Sequence, residues 1–279
     1  MAYFITGGTG FLGRFFIDKL REREGDIYVL TRKGSESKFE ALQERMGEQA
    51  DRLIPVTGDL CQPLLGLDEA TVADLKGNVS HFCHFAAIYD LKASAEAQIA
   101  TNIDGTRNAV QLAEAIDAGC FQHVSSIAAG GLYRGTWRED MFEEAENMEH
   151  PYFATKHDSE GVVRNECKIP WRVYRPGMVV GHSKTGEIDK IDGAYYFFKS
   201  LQKIRNVLPP WFPLVGIEGG KFNVVPVDYV IDAMDHIAHL DDLDGRAFHL
   251  TDPEHHSMGN MLNIFADAGH APRFSMRLD

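Results

Sequence analysis

Cysteine is scarce and unpatterned. The four thiols, Cys61, Cys83, Cys120 and Cys167, include no CxxC pair and no disulfide-like spacing. That removes the usual cysteine signatures of a zinc site, a redox pair or a disulfide scaffold, and the expected setting is a reduced, cytoplasmic one. Long apolar runs are missing too. None reaches the ~18 residues of a transmembrane helix, and strand-like Tyr3-Phe4-Ile5 follows Met1 so closely that no signal peptide is expected. Positive charge is short: 28 Lys and Arg stand against 41 Asp and Glu, a formal charge of −13. This speaks against nucleic acid or an anionic membrane surface as the main partner, while leaving room for a polyanionic small ligand held by a few local cations. There is no internal repeat, low-complexity tract, heptad pattern or signal of an oligomeric state.

What is present is size and alternation. With 279 residues, 44% of them hydrophobic, the chain can bury a core for one α/β domain and a small appended lobe. Strand patterns at Ala2–Thr6, Asp26–Thr31, Leu53–Thr57, His81–Phe85, Phe121–Ser125 and Trp171–Tyr174 alternate with helical ones at Phe11–Arg23, Ser35–Ala50 and Ala93–Asp117. A further helix starts at Pro151, a favoured first position for proline. The pattern predicts a doubly wound parallel sheet of Rossmann type over residues 1–180. A small C-terminal substrate lobe follows over 181–279, interleaved with late sheet elements: a helix at Asp228–Leu240, a strand at Arg246–Leu250 and a helix at Ser257–Ala268. A last strand from Arg273 to Asp279 has nothing after it, so a C-terminal truncation is expected.

Thr6-Gly7-Gly8-Thr9-Gly10-Phe11-Leu12-Gly13 follows the first strand and opens a helix. One glycine permits the sharp turn, another lets the backbone approach a pyrophosphate, and the third packs helix on strand. The helix N-terminus then faces the phosphates with free N–H groups. A dinucleotide site is the reading. At the end of the second strand an acid reads a ribose 2′-OH, whereas an arginine accommodates a 2′-phosphate. Arg32, followed by Lys33, therefore favours NADP(H) over NAD(H). Asp59, ending the third strand, is either an acceptor for the adenine amino group or a plain turn aspartate.

Tyr152 and Lys156 lie four apart on the helix opened by Pro151, hence on one face. The ammonium is expected to favour the phenolate and lower the tyrosine pKa. Ser126 falls beyond the fifth strand, on the edge where ligands bind an open parallel sheet, and is placed to hydrogen-bond a substrate oxygen. Ser125 should point to the opposite face.

These residues resemble the short-chain dehydrogenase/reductase superfamily in its extended branch, through TGGTGFLG at 6–13, GDL at 58–60, HFAA at 84–87, NIDGT at 102–106, VSS at 124–126, YFATK at 152–156, RPG at 175–177 and VPVDYV at 225–230. The resemblance implies that Ser126 polarises a carbonyl, Tyr152 donates the proton, and Lys156 bonds the nicotinamide ribose. It implies further cofactor contacts from Thr9, Phe11, Leu12, Asp59, Leu60, Ala86, Ala87, Pro176, Gly177 and Val179. Asn102 matches an asparagine that supports a proton relay; a structural cap is the other reading of it.

Within the superfamily, GFLG at 10–13, Thr31-Arg32, the run from Arg175 to Gly186 and Asp192-Gly193-Ala194-Tyr195-Tyr196 look like the fatty acyl-CoA and thioester reductases. The implied function is NADPH-dependent reduction of a fatty acyl thioester, on coenzyme A or an acyl carrier, to the aldehyde or on to the alcohol. Dihydroflavonol reductases and hydroxysteroid dehydrogenases share much of this pattern. A sugar-nucleotide epimerase or dehydratase would use the same tyrosine and lysine with a tightly held NAD; Arg32 and the apolar lobe speak against it.

The aromatic-rich stretch 194–217 would line an acyl channel or build the core of the lobe. Lys199, Lys203 and Arg205 would meet the phosphates of a coenzyme A or carrier arm, or form a solvated face. The acidic stretch Glu139–Glu149 would repel those phosphates, and is expected to face away or form a mobile flap. His249, His255 and His256 have no metal-ligand spacing and read as a surface cluster, and no metal is expected.

Overall fold

The computed structural model describes residues 2–89, 93–189, 195 and 197–278. Six strands, β1 (Tyr3–Thr6), β2 (Ile27–Thr31), β3 (Leu53–Thr57), β4 (His81–His84), β5 (Cys120–Val124) and β6 (Trp171–Pro176), join a seventh, Arg246–Leu250, in one sheet. Its order is seventh–β6–β5–β4–β1–β2–β3, and every pairing is parallel. The chain winds outward from β1 to β3 and resumes on the other side of β1 with β4. The reversal therefore opens a crevice beyond the C-terminal ends of β1 and β4.

The inner strands read as near-continuous apolar runs because both faces are covered. On one face Phe4, Phe82 and Phe121 stack at centroid distances of 4.8 and 5.3 Å. On the other, Tyr3 is fully buried and its hydroxyl meets His239 Nε2 at 2.9 Å, beside a bidentate pair from Arg23 to Asp235.

Two local features depart from the sequence pattern. The single long helix expected from Ala93 to Asp117 is an α-turn at Ala95–Gln98, a π-helical stretch at Ile99–Asp104 and a helix at Gly105–Ala115. The widened turn lets Asn102 bond both backbone atoms of Ile88, with Ile88 N donating to Oδ1 at 2.7 Å and Nδ2 donating to Ile88 O at 3.0 Å. A helix at Glu69–Leu75, which the apolar pattern does not mark, is capped by Asp68 accepting from Thr71 N at 2.8 Å.

The chain divides into two compact units, 1–176 with 228–250, and 177–227 with 251–279. The first holds the seven-stranded sheet, and the helix and strand of 228–250 belong with it. In the second, the helices Phe197–Val207 and Met258–Ala268 share a small core of Leu201, Ala266 and Ala271, with Phe265 and Phe274 packed against it. Tyr195 stacks on Phe265 at 6.0 Å, and Phe198 meets the same ring edge-on at 4.8 Å. The final strand, Phe274–Leu278, pairs in parallel with Leu214–Ile217. Among the described residues, no helix is long and apolar enough to cross a membrane.

A polar knot sits inside the first unit. Glu160 and Arg175 are both fully buried; Arg175 Nη2 donates to Glu160 Oε1 at 2.6 Å and its Nε to Oε2 at 3.0 Å. Arg164 and Ser125 donate to the same carboxylate at 2.7 and 2.8 Å. Removing one partner of a buried pair leaves a charge that water cannot reach. Arg175→Met should therefore destabilise the protein by about 3 kcal/mol, read from its urea unfolding midpoint. A loss below about 1 kcal/mol would show that the pair contributes little.

Candidate active site

The glycine turn is a tight, bare surface. Gly7 has φ +71°, and an added Cβ there would lie 2.7 Å from the Ala86 amide nitrogen. At Gly13 an added Cβ would collide with the Gly7 carbonyl oxygen. Gly10 N donates to Gly7 O at 2.9 Å, and the first helical bond runs from Arg14 N to Gly10 O at 3.0 Å. The amides of the helix's first turn thus face out of its end, toward the crevice. Thr9, Phe11 and Leu12 are partly exposed along it, as are Ala86 and Ala87 beyond β4.

Arg32 and Lys33 lie just past β2, exposed; among the described residues neither side chain has a hydrogen-bond or ion-pair partner. Asp59 takes the turn role, its Oδ1 accepting from Cys61 N at 2.9 Å, though it stays exposed. Leu60 is buried, its side chain against Gly105 and its carbonyl held by Asn108 Nδ2 at 2.9 Å. Pro176 ends β6, whereas Gly177 and Val179 belong to the second unit, where Asn223 approaches Gly177 and the strand Met178–Val180 pairs with Val224–Pro226.

The helix Pro151–Glu166 carries Tyr152 and Lys156. Its start is set by Pro151 at the first position and by His150, whose Nδ1 accepts from Tyr152 N at 3.1 Å. Lys156 is 6% exposed, and its Nζ donates to Val124 O at 3.3 Å, which ties the helix to the end of β5. Ser126 follows two residues later. Its Oγ accepts from Ala128 N at 3.1 Å, and its hydroxyl lies near enough to the Tyr152 phenol to act on that group's pKa. Asn102 joins this helix through Nδ2 donating to Thr155 Oγ1 at 3.3 Å. Ser125 points the other way, into the Glu160 carboxylate.

The electrostatics differ from the sequence expectation. Burial pushes the Tyr152 phenol up from its ordinary value, and the nearby Ser126 hydroxyl opposes part of that rise. Lys156 is not among the causes; burial lowers its own pKa to about 8, with Glu160 opposing. The local field comes from depth, which spacing on a helix does not reveal.

Three further expectations change. The acidic stretch is anchored rather than loose: Met141 and Phe142 are buried, Arg175 Nη2 donates to Met141 O at 2.8 Å, and Glu139 accepts from His249 N at 2.6 Å. His249 is accordingly no member of a surface cluster, since its Nε2 lies 3.2 Å from Arg175 Nη1. Arg205, though exposed, donates to Gly269 O at 3.1 Å, which leaves Lys199 and Lys203 as the exposed cations of their helix without a partner among the described residues. Of the Asp192–Tyr196 motif only Tyr195 lies within the described residues. Glu160 and its arginines went unnoticed in the sequence; an acid one turn after the lysine of YxxxK was the available signal.

A dinucleotide turn and a serine–tyrosine–lysine group on one sheet edge define a nicotinamide-dependent oxidoreductase fold, and the comparisons agree. Residues 5–234 match the family described as Male sterility protein. The chain belongs to this family, an extended branch of the short-chain dehydrogenases/reductases. It is 28% identical over 284 residues to a component of the linear gramicidin synthase of Brevibacillus parabrevis, covering 96% of this chain and 5% of that one. It is 26% identical over 287 residues to fatty acyl-CoA reductase wat of Drosophila melanogaster, covering 83% and 52%. The terminal R domain from the myxalamid PKS-NRPS biosynthetic pathway superposes with a TM-score of 0.83 at 28% identity, over 99% of this chain and 71% of that one. The chain thus spans about half or less of the two curated relatives.

Lys156 has a thermodynamic signature. Its pKa falls from 10.5 in the unfolded chain to about 8 in the fold, so below pH 8 folding carries a cost of about 3 kcal/mol. Between those values the unfolded chain binds the extra proton, and stability rises with pH. Lys156→Met should therefore be more stable than the parent by about 3 kcal/mol at pH 7, with the gap closing toward pH 10.5. Urea unfolding across that range reads it, and a pH-independent gap would contradict the assignment.

Proposed function

We propose that the chain is an NADPH-dependent reductase of a fatty acyl thioester, borne by coenzyme A or a carrier protein, releasing the aldehyde and the free thiol. The observation that carries this reading is the grouping of Ser126, Tyr152 and Lys156 beyond β5, with Lys156 Nζ tied to Val124 O, on the edge that also bears the glycine turn. A nicotinamide dinucleotide fits the turn because Gly7 and Gly13 let it close against Ala86 and onto itself, a Cβ at either position meeting backbone, which leaves the helix N-terminus to face a pyrophosphate. The unpartnered, exposed Arg32 and Lys33 support NADP(H) over NAD(H), since a 2′-phosphate would give both cations a partner.

When bound, the cofactor supplies a hydride to the carbonyl carbon. Ser126 and Tyr152 donate hydrogen bonds to the carbonyl oxygen and stabilise the charge that builds there. Burial keeps Tyr152 protonated at neutral pH, which is the form a reduction needs, and the phenol passes its proton to that oxygen. Lys156 holds positive charge nearby and offsets the phenolate left behind. The hemithioacetal then loses its thiol as the C–S bond breaks, giving the aldehyde; a second round on the aldehyde would give the alcohol.

A thioester substrate is supported by the resemblance to an acyl-CoA reductase and to a terminal R domain. Apolar surface for an alkyl tail is available in the second unit, where Trp211, Phe212 and Phe274 border an open groove and each buried methylene is worth ~0.8 kcal/mol. The free cysteines support a reducing compartment such as the cytoplasm.

Tyr152→Phe should lower kcat for NADPH-dependent thioester reduction by about 10²–10⁴ while NADPH still binds. Turnover within about threefold of the parent would remove Tyr152 from the proton transfer. Arg32→Asp should cut the NADPH-to-NADH ratio of kcat/KM about a hundredfold, as for a lost charged hydrogen bond. An unchanged ratio would place the 2′-phosphate elsewhere or favour NAD(H).

A further inference from the structure

Beneath the crevice runs a chain of hydrogen bonds that the reduction itself does not use. Thr6, His84 and Thr106 are buried to within 1% of complete. His84 Nδ1 lies 2.7 Å from Thr6 Oγ1 and its Nε2 lies 3.0 Å from Thr106 Oγ1. Thr106 Oγ1 donates to Asn102 O at 2.6 Å, and Thr6 Oγ1 accepts from Ala86 N at 3.4 Å.

The polarity of these bonds follows from counting protons. A carbonyl cannot donate, so the one hydroxyl proton of Thr106 is committed to Asn102 O, and Thr106 Oγ1 must accept from His84 Nε2. Nδ1 then carries a lone pair and accepts the proton of Thr6. An imidazolium would present a second N–H to Thr6 and leave that hydroxyl proton without an acceptor. Burial, with the charge of Lys156 and the neighbouring His123, also disfavours the charged ring. His123 stacks on His84 at 5.6 Å and 17°, and Phe121 covers it at 5.8 Å.

The two ends of the network are what give it a role. Thr6 immediately precedes Gly7, whose missing side chain admits the Ala86 backbone. Asn102 sits in the π-helical stretch and clamps Ile88 and Thr155. We propose that His84, as the neutral Nε2–H tautomer, is a positioning residue that braces the glycine turn through Thr6 on one side and the Asn102 turn through Thr106 on the other, and so sets the cofactor seat and the catalytic helix each from its own side. For its functional consequence the proposal rests on the dinucleotide reading of the glycine turn.

Nitrogen-15 histidine NMR of the protein without cofactor tests the network directly. The expected result is a protonated Nε2 and a hydrogen-bonded, unprotonated Nδ1 at neutral pH; a protonated Nδ1 or an imidazolium would overturn it. Isosteric Thr→Val changes then test the two arms one at a time. Thr6→Val should weaken NADPH binding about tenfold and lower kcat less than about threefold, whereas Thr106→Val should do the reverse. His84→Gln, which restores a donor toward Thr106 but no acceptor toward Thr6, should follow the Thr6→Val pattern. Equal losses in both parameters, scaling only with melting temperature, would mean a merely structural role and overturn the proposal. Failure of the parent protein to bind NADPH would sink the dinucleotide reading, and with it the positioning role, while the tautomer measurement still decides the hydrogen-bond network.

Discussion

A lysine ammonium buried to 6% exposure beside the end of β5 is the constraint on which the rest of the site depends. Removing an ammonium from water costs several kcal/mol unless other groups offset it. Here the offsets are one carbonyl, Val124 O, and one carboxylate a helical turn away, Glu160. Glu160 is itself buried, and it is tolerated because Arg175, Arg164 and Ser125 surround it. Arg175 in turn holds the carbonyl of Met141, which fixes the segment that follows the strand-end serine. The helix Pro151–Glu166, the serine loop and the acidic segment are thus tied to one sequence of compensations that begins with a single charge.

Burial, with that charge added, keeps the histidines below it neutral. His84 and His123 stack in adjacent strands, and burial together with Lys156 holds both uncharged, His123 down to about 3. Among the described residues, His123 has no hydrogen-bond partner on either ring nitrogen, whereas His84 is bonded on both. Two like rings in one environment therefore differ in what they can do. Only His84 has a defined tautomer to transmit, and it transmits toward the glycine turn on one side and Asn102 on the other.

Much of this was legible in the chain because the physics involved is local. A glycine that must take φ +71°, a proline at a helix start and a buried strand all leave their marks within a few residues, and β3 and the strand Arg246–Leu250 fall where the pattern puts them. Serine, tyrosine and lysine were found from strand-end and helix spacing in the same way. What was not legible depends on distant partners. The π-helical stretch exists because Asn102 reaches Ile88, 14 positions away, and the Glu160–Arg175 pair joins a helix to a strand 15 positions later. The rise of the Tyr152 pKa depends on depth, so a rule based on lysine proximity predicted the wrong direction. The acidic segment, read by charge alone, concealed Met141 and Phe142 as its anchors.

If the protein is the reductase proposed, hydride and proton meet at a thioester carbonyl on this sheet edge. The most direct test is incubation of the protein with an acyl-CoA and NADPH deuterated at the transferring C4 position, followed by mass analysis of the products. The expected product is an aldehyde carrying one deuterium on its former carbonyl carbon, with an equal amount of free coenzyme A. Intact thioester in the presence of bound cofactor, or a product without deuterium, would contradict it.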